Sequence, residues 1–314
     1  MPKQPKRPRT QTRFDPQRTH PPETIELVDP AWILKALALM LGLGLLGGYL
    51  TLCVVFSHSQ WQLVLHPSRT VATTPAAIGL PFQEVHFGHD GVAATEPPQL
   101  DGWWIPSDTP SAATALLLHG GDGSMSDALA QARTLHDARL NVLLFDYRGY
   151  GRSLGAHPTQ DSMRQDAESA LTYLTRDRSI SLGRVLLYGT GVGASVAVQL
   201  CAAHPANTLP AIILESAEGD LAARAGADPR SKAVPFRLLF HEDFPLAAPL
   251  RTLATPKLLL THTNGNTPLI FQQAADPKMT VELPPNDQGA ELSSLNRFLS
   301  TYIQRPPQSL TPNP

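Results

Sequence analysis

The segment RVLLYGTGVGAS (residues 184–195) decides the fold. Val185–Tyr188 run straight into three glycines spaced G-x-G-x-G, and small and apolar residues follow. A short, wholly apolar run reads as a strand buried on both faces. The small residues after the turn read as a helix packed close behind that strand. Strand, sharp turn and helix together form the geometry that holds a turn's central residue strained and exposed. The centre here is Gly191, between Thr190 and Val192. A glycine turn opening a helix can also cradle phosphate. Gly189, Gly191 and Ala194 match a dinucleotide fingerprint in spacing. However, this strand is not the first of its sheet, and the nearest acid for a ribose is Glu215, 21 residues beyond Ala194. No nucleotide and no other cofactor is expected.

Working outward, similar runs appear at Ala115–Leu118 (ALLL, ending in His119-Gly120-Gly121), Asn141–Phe145 (NVLLF), Ala211–Leu214 (AIIL) and Lys257–Leu260 (KLLL). Helical spacing occupies 126–138, 159–174 (capped by Thr159 or Asp161), 194–203 and 292–302. Residues 78–105 read as rich in strand. The alternation predicts an α/β fold, a mostly parallel sheet with helices on both faces. Such sheets bind ligands beyond the carboxyl ends of their strands, so chemistry is sought there. The composition suits a buried core: 42% hydrophobic and 17% charged over 314 residues. A net charge of −2 argues against a nucleic-acid partner, and two cysteines exclude a disulfide scaffold. The nearest approach to a metal spacing, His86-x-x-His89-Asp90, reads as surface, and no metal is expected.

Residues 1–35 form a proline-rich tail whose first 20 residues hold six bases against one acid. The uncharged run 36–56 (ALALMLGLGLLGGYLTLCVVF) is 21 residues long, or about 31 Å of helix, enough to cross a bilayer. It reads as a single transmembrane anchor, with the membrane as partner, followed by one domain over 57–314. The bases ahead of it keep the N-terminus cytoplasmic and export the domain, to the periplasm in a bacterium.

Four stretches resemble the α/β-hydrolase superfamily: HGG (119–121), NVLLFDYRGYGRSLG (141–155), VLLYGTGVGAS (185–195) and AIILES (211–216). Over about residues 60–303 the chain is most similar to single-pass, membrane-anchored serine hydrolases. The resemblance implies backbone oxyanion donors at Gly120, Gly121 and Val192, a nucleophile position at Gly191, and a short cap over 216–256. It places the literal G-x-S-x-G of residues 151–155 in a structural loop. Ser153 lies eight residues past its strand rather than at a tight turn. The catalytic acid would fall in THTNGNTPL (261–269), at Asn266 or less readily Asn264. The base would fall in ELPPNDQGA (282–290), at Pro285, ahead of Asn286 and Asp287. None of residues 263–314 is histidine. All three triad positions thus lack the groups the chemistry needs. His119, Thr190, Gly191 and His262 are the candidate pocket residues, with His262 able to meet Asp287 or Glu215.

The expectation is an anchored pseudohydrolase that binds a small acyl or lipid-like ligand or a protein partner. One alternative is a divergent esterase or peptidase with displaced catalytic groups. The other is a structural envelope protein.

Overall fold

The computed structural model describes residues 29–88, 99–109, 112–206, 208–217, 221–262, 269–284 and 287–303. The apolar strands assemble into one eight-stranded sheet. In chain order these are β1 (Gln83–Phe87), β2 (Leu100–Ile105), β3 (Thr114–Leu118), β4 (Asn141–Phe145), β5 (Val185–Thr190), β6 (Ile212–Glu215), β7 (Lys257–Thr261) and β8 (Lys278–Glu282). Their order across the sheet is β1-β2-β4-β3-β5-β6-β7-β8. Only β2 runs against its neighbours; every pairing from β4 to β8 is parallel. The expected runs become strands with boundaries shifted by at most two residues. β8 was not foreseen: KMTVE is a half-polar edge strand, without the apolar run that marks the centre of the sheet.

Helices cover both faces. In chain order the helices of the described residues are α1 (Pro30–Ser59), α2 (Leu129–Asp137), α3 (Gln160–Thr172), α4 (Val192–Ala203), α5 (Leu221–Ala227), α6 (Phe236–Leu239), α7 (Ala247–Leu250), α8 (Leu269–Gln272) and α9 (Gln288–Tyr302), and those that cover the sheet come after α1. Thr159, one of the two expected caps, starts α3 by accepting the Ser162 N–H at 3.1 Å. Alternate strand residues feed two cores. Leu116, Leu187 and Leu214 pack on the side of α3 and α4, while Leu117, Tyr188 and Ile213 pack on the side of α2 and α9. Because α2 and α9 stand on one face and α4 opens at the end of β5, the strand carboxyl ends remain the place for a site.

The chain divides into two units, Met1–Thr51 and Leu52–Pro314. The described part of the first is helical. α1 outruns the expected 36–56 at both ends, since Asp29 Oδ1 accepts the Ala31 N–H at 2.9 Å and Pro30 costs nothing at a first helical position. Its most apolar window has a mean hydropathy of 2.1. By length and composition it can cross a membrane, as an anchor or as a signal sequence. Within the second unit, the last turns of α1 join the cap region: Phe56 meets Phe236 edge-on at 6.3 Å, and Gln60 Oε1 accepts the His241 N–H at 2.7 Å.

Candidate active site

The glycine turn has the elbow conformation. Gly191 sits between β5 and α4 with φ +53° and ψ −122°, a backbone state side chains rarely adopt. Its neighbours enforce it. A Cβ at Gly189 would lie 2.5 Å from the Gly193 carbonyl oxygen, and one at Gly193 would overlap the carbonyl oxygens of Leu118 and His119. α4 is therefore seated against the end of β3 as closely as backbone allows. The Gly191 N–H donates to the Glu215 carbonyl at 3.2 Å. The strand, turn and helix are all formed, and the residue at the centre of the turn carries no side chain.

The expected oxyanion residues come together. A Cβ on Gly121 would lie 3.1 Å from Val192 Cγ2, so the loop after β3 rests on the first residue of α4. The nearest side-chain atom to a Cβ on Gly120 would be Thr190 Oγ1, at 3.6 Å. Tyr150 donates its hydroxyl to the Gly121 carbonyl at 2.8 Å and pins the loop from below.

Ser153 is a structural residue. It is 1% exposed. Its hydroxyl donates to the Asp146 carbonyl at 2.5 Å and accepts the Asp101 N–H at 2.9 Å. That ties the loop after β4 to β2 and leaves no hydrogen free for catalysis.

The two candidate histidines part company. His119 does not line a cleft: it is buried between the rings of Tyr147 and Tyr150, at 4.6 and 5.0 Å. Its Nδ1 donates to the Gly120 carbonyl at 2.8 Å, which leaves Nε2 an acceptor facing Asp146 Oδ1 at 3.7 Å. Burial pulls the His119 pKa down to about 4 and pushes that of Asp146 up to about 7. The pair is therefore held neutral rather than as an ion pair. His119 Nε2 and Asp146 Oδ2 have no hydrogen-bond partner among the described residues.

His262 follows β7 and is partly exposed. Its Nε2 donates to Glu215 Oε1 at 2.8 Å, the first of the two partners foreseen for it to be met. Asp287 instead caps α9 by accepting the Ala290 N–H at 2.9 Å. Glu215 Oε2 also accepts from Tyr188 Oη at 2.9 Å and Gln131 Nε2 at 3.1 Å. Tyr188 Oη lies 3.1 Å from Glu291 Oε1. One hydroxyl hydrogen cannot serve two carboxylates. Glu215 gathers three donors, Tyr188, Gln131 and His262, and burial and the nearby Glu215 push the Glu291 carboxyl pKa up. The chain Glu291–Tyr188–Glu215–His262 passes through Glu215, the residue whose carbonyl accepts the Gly191 N–H. Sequence reasoning missed Glu291 and Tyr188. Glu291 shares the inward stripe of α9 with Leu295 and Phe298, where an acid has to find a partner.

Asn264, Asn266, Pro285 and Asn286 lie outside the described residues. So do His89 and Asp90, while His86 pairs with Asp101 at 3.0 Å. Among the described residues no cluster fits a metal ion.

A family model described as serine aminopeptidase, S33, matches residues 109–300. The chain is 31% identical to the uncharacterized protein Rv2307c of Mycobacterium tuberculosis over 266 residues, 79% of this chain and 90% of that protein. It is 30% identical to protein bem46 of Schizosaccharomyces pombe over 170 residues, 51% and 54% of the two chains. The Pyrococcus furiosus esterase Pf2001 superposes with a TM-score of 0.58 at 19% identity, covering 76% of this chain and 98% of that one.

Proposed function

The chain belongs to the serine aminopeptidase (S33) family of α/β-hydrolases, and we propose that it is a membrane-anchored member that binds ligands without serine-type catalysis. One observation supports this reading above the rest: Gly191 stands at the centre of the strand-to-helix turn, at φ +53° and ψ −122°, and has no atom to attack a carbonyl. The sequence supports it with Asn266 and Pro285 at the positions of acid and base. Triad members act as a unit, and loss of the nucleophile and base costs on the order of 10⁶ in rate. The ligand on this reading is acyl or lipid-like. Residues 1–35 form the cytoplasmic tail, 36–56 the anchor and 57–314 the exported domain, with the cap over 216–256.

The test is a fluorophosphonate probe applied to purified full-length protein. No labelling is expected, and stoichiometric labelling of any serine would overturn the reading.

The His262–Glu215 pair favours a second reading, hydrolysis with displaced groups. A carboxylate that orients an imidazole is half of a hydrolytic apparatus, and water could take the role of nucleophile. That reading expects turnover of a short p-nitrophenyl ester, lost in His262→Ala. No turnover by clean protein counts against it.

A further inference from the structure

Between α5, α7 and α8 lies a groove of about 470 Å³ to which nothing above gives an occupant. Its walls are the segment Asp243–Ala248, Ala222 of α5, and Leu269, Ile270 and Gln273 of α8 and the residue after it. One wall is the start of α8 at Leu269 and Ile270. The other is fastened to the first turn of α4, where Ser195 Oγ donates to the Pro245 carbonyl at 2.9 Å. The end of α7 is tied to the stretch after α8, since the Ala275 N–H donates to the Leu250 carbonyl at 2.9 Å.

Phe244, in the first wall, is held under strain. It is 1% exposed and adopts φ +44°, an outlier for a bulky residue. α3 holds it there. The Phe244 N–H donates to Gln160 Oε1 at 2.6 Å, and the Gln160 N–H donates to Glu242 Oε2 at 2.5 Å. A strained, over-determined residue in the wall of a concavity is a recognised mark of a ligand clamp.

The chemistry of the lining names the ligand. Ala222, Leu246, Ala247, Leu269 and Ile270 present only carbon, and the alanines leave the slot open. The size lies within the range of small-molecule sites, which are mostly apolar with a few placed polar groups. Here the polar group is Arg251, whose guanidinium is steadied by a hydrogen bond to Gln273 Oε1. The second charge, Asp243, is of the opposite sign and stands at the exposed start of the wall.

We propose that this groove binds a single unbranched acyl chain with a carboxylate head, the chain along the alanine-lined slot and the head on Arg251. The proposal rests on the ligand-binding reading above and gives it a place and a ligand class.

The test uses full-length protein in nanodiscs, with empty nanodiscs as the blank, and titrates a fluorescent fatty acid. Saturable binding at one per chain is expected. Competing decanoate and dodecanoate should differ by about fourfold per added methylene. Ala247→Trp fills the slot and should abolish binding while the thermal melt is retained. Arg251→Gln, an exposed change that leaves folding intact, should weaken the fatty acid about tenfold and leave dodecanol unchanged. Asp243→Asn should tighten the acid.

Absence of saturable binding overturns the proposal. So does an Arg251→Gln effect equal for acid and alcohol, or retention of full affinity in a folded Ala247→Trp. Fluorophosphonate labelling with groove binding intact would instead refute the non-catalytic reading and leave the groove standing.

Discussion

Replacing Gly191 tests the elbow directly, because two substitutions separate its shape from its chemistry. Gly191→Ala adds one methyl group at φ +53° and ψ −122°. The turn cannot relax: Gly193 is seated on the end of β3, and the Gly191 N–H is bonded to the Glu215 carbonyl at 3.2 Å. A non-glycine residue held in such a region costs about 1–3 kcal/mol. For a domain of this size 1 kcal/mol shifts the melting temperature by about 2–4 °C, so a mid-range loss of about 2 kcal/mol lowers it by about 6 °C. Gly191→Ser should cost the same and supply an oxygen. With no imidazole placed to take its proton, it should raise p-nitrophenyl ester turnover by less than about tenfold, far short of the roughly 10⁶ that a complete triad contributes. Differential scanning fluorimetry and an ester assay on the same preparations read both quantities. An unchanged melting temperature for Gly191→Ala would show that the turn is not fixed as described. Rapid turnover by Gly191→Ser would show that a working base faces the elbow, and the argument for lost catalysis would fail.

Three further outcomes follow from the buried polar groups. Ser153→Ala strips the buried Asp101 N–H of its acceptor and the Asp146 carbonyl of a donor, and should cost about 1–3 kcal/mol in urea unfolding without altering probe labelling. His119 and Asp146 should oppose each other in pH dependence. A histidine lowered to about 4 adds stability as pH rises from about 4 to 6.5; a carboxyl raised to about 7 loses stability as pH rises from about 4 to 7. Each is worth on the order of 3–4 kcal/mol over its window, so the wild-type profile is nearly flat between pH 4 and 6.5. Asp146→Asn should expose the rising limb alone, and a flat profile in that variant would refute the neutral pair. Around Tyr188 the two carboxyls should answer differently to the same change: Glu291→Gln disturbs one hydroxyl contact and should cost little, whereas Glu215→Gln strips three donors of their carboxylate acceptor and should cost about 2–3 kcal/mol in urea unfolding.

The sheet was legible because its central strands are apolar on both faces, and such runs need no partner to be recognised. The helix start at Thr159 was legible for a local reason, a side chain capping its own first turn. β8 was not, since KMTVE at the sheet's edge carries no apolar signature. The two histidines show the deeper limit. His119 and His262 both follow an apolar strand, and sequence treats them alike. What separates them is a loop 27–31 residues after His119 that folds Asp146, Tyr147 and Tyr150 around it. Periodicity reports which face a residue occupies and is silent about what later folds over it. Glu291 was missed for the complementary reason: its position on the inward stripe of α9 is local, but the hydroxyl it meets stands 103 residues away on β5.

The elbow keeps its shape without the residue that usually explains it, and the cause lies in its neighbours. Strain at an elbow is ordinarily tolerated because the nucleophile's placement requires it. Here glycine makes the conformation cheap, and the constraint comes from outside: close seating of Gly189 and Gly193, the bond from Gly191 to Glu215, and the three donors that hold Glu215 in place. Glu215 therefore does two jobs through different atoms. Its carbonyl fixes the turn, and its carboxylate fixes His262. A change that loosens the carboxylate, such as Tyr188→Phe, should reach the elbow through a single residue. The glycine amides at 120 and 121 and the Val192 amide would then lose their registry even though none of them touches Tyr188. Hydrogen exchange at Val192 and Gly193 measures this: faster exchange in Tyr188→Phe, with β3 and β4 unchanged, is the expected result. Protection unchanged at the elbow would mean that backbone packing alone holds the turn and that the buried hydrogen-bond chain is independent of it.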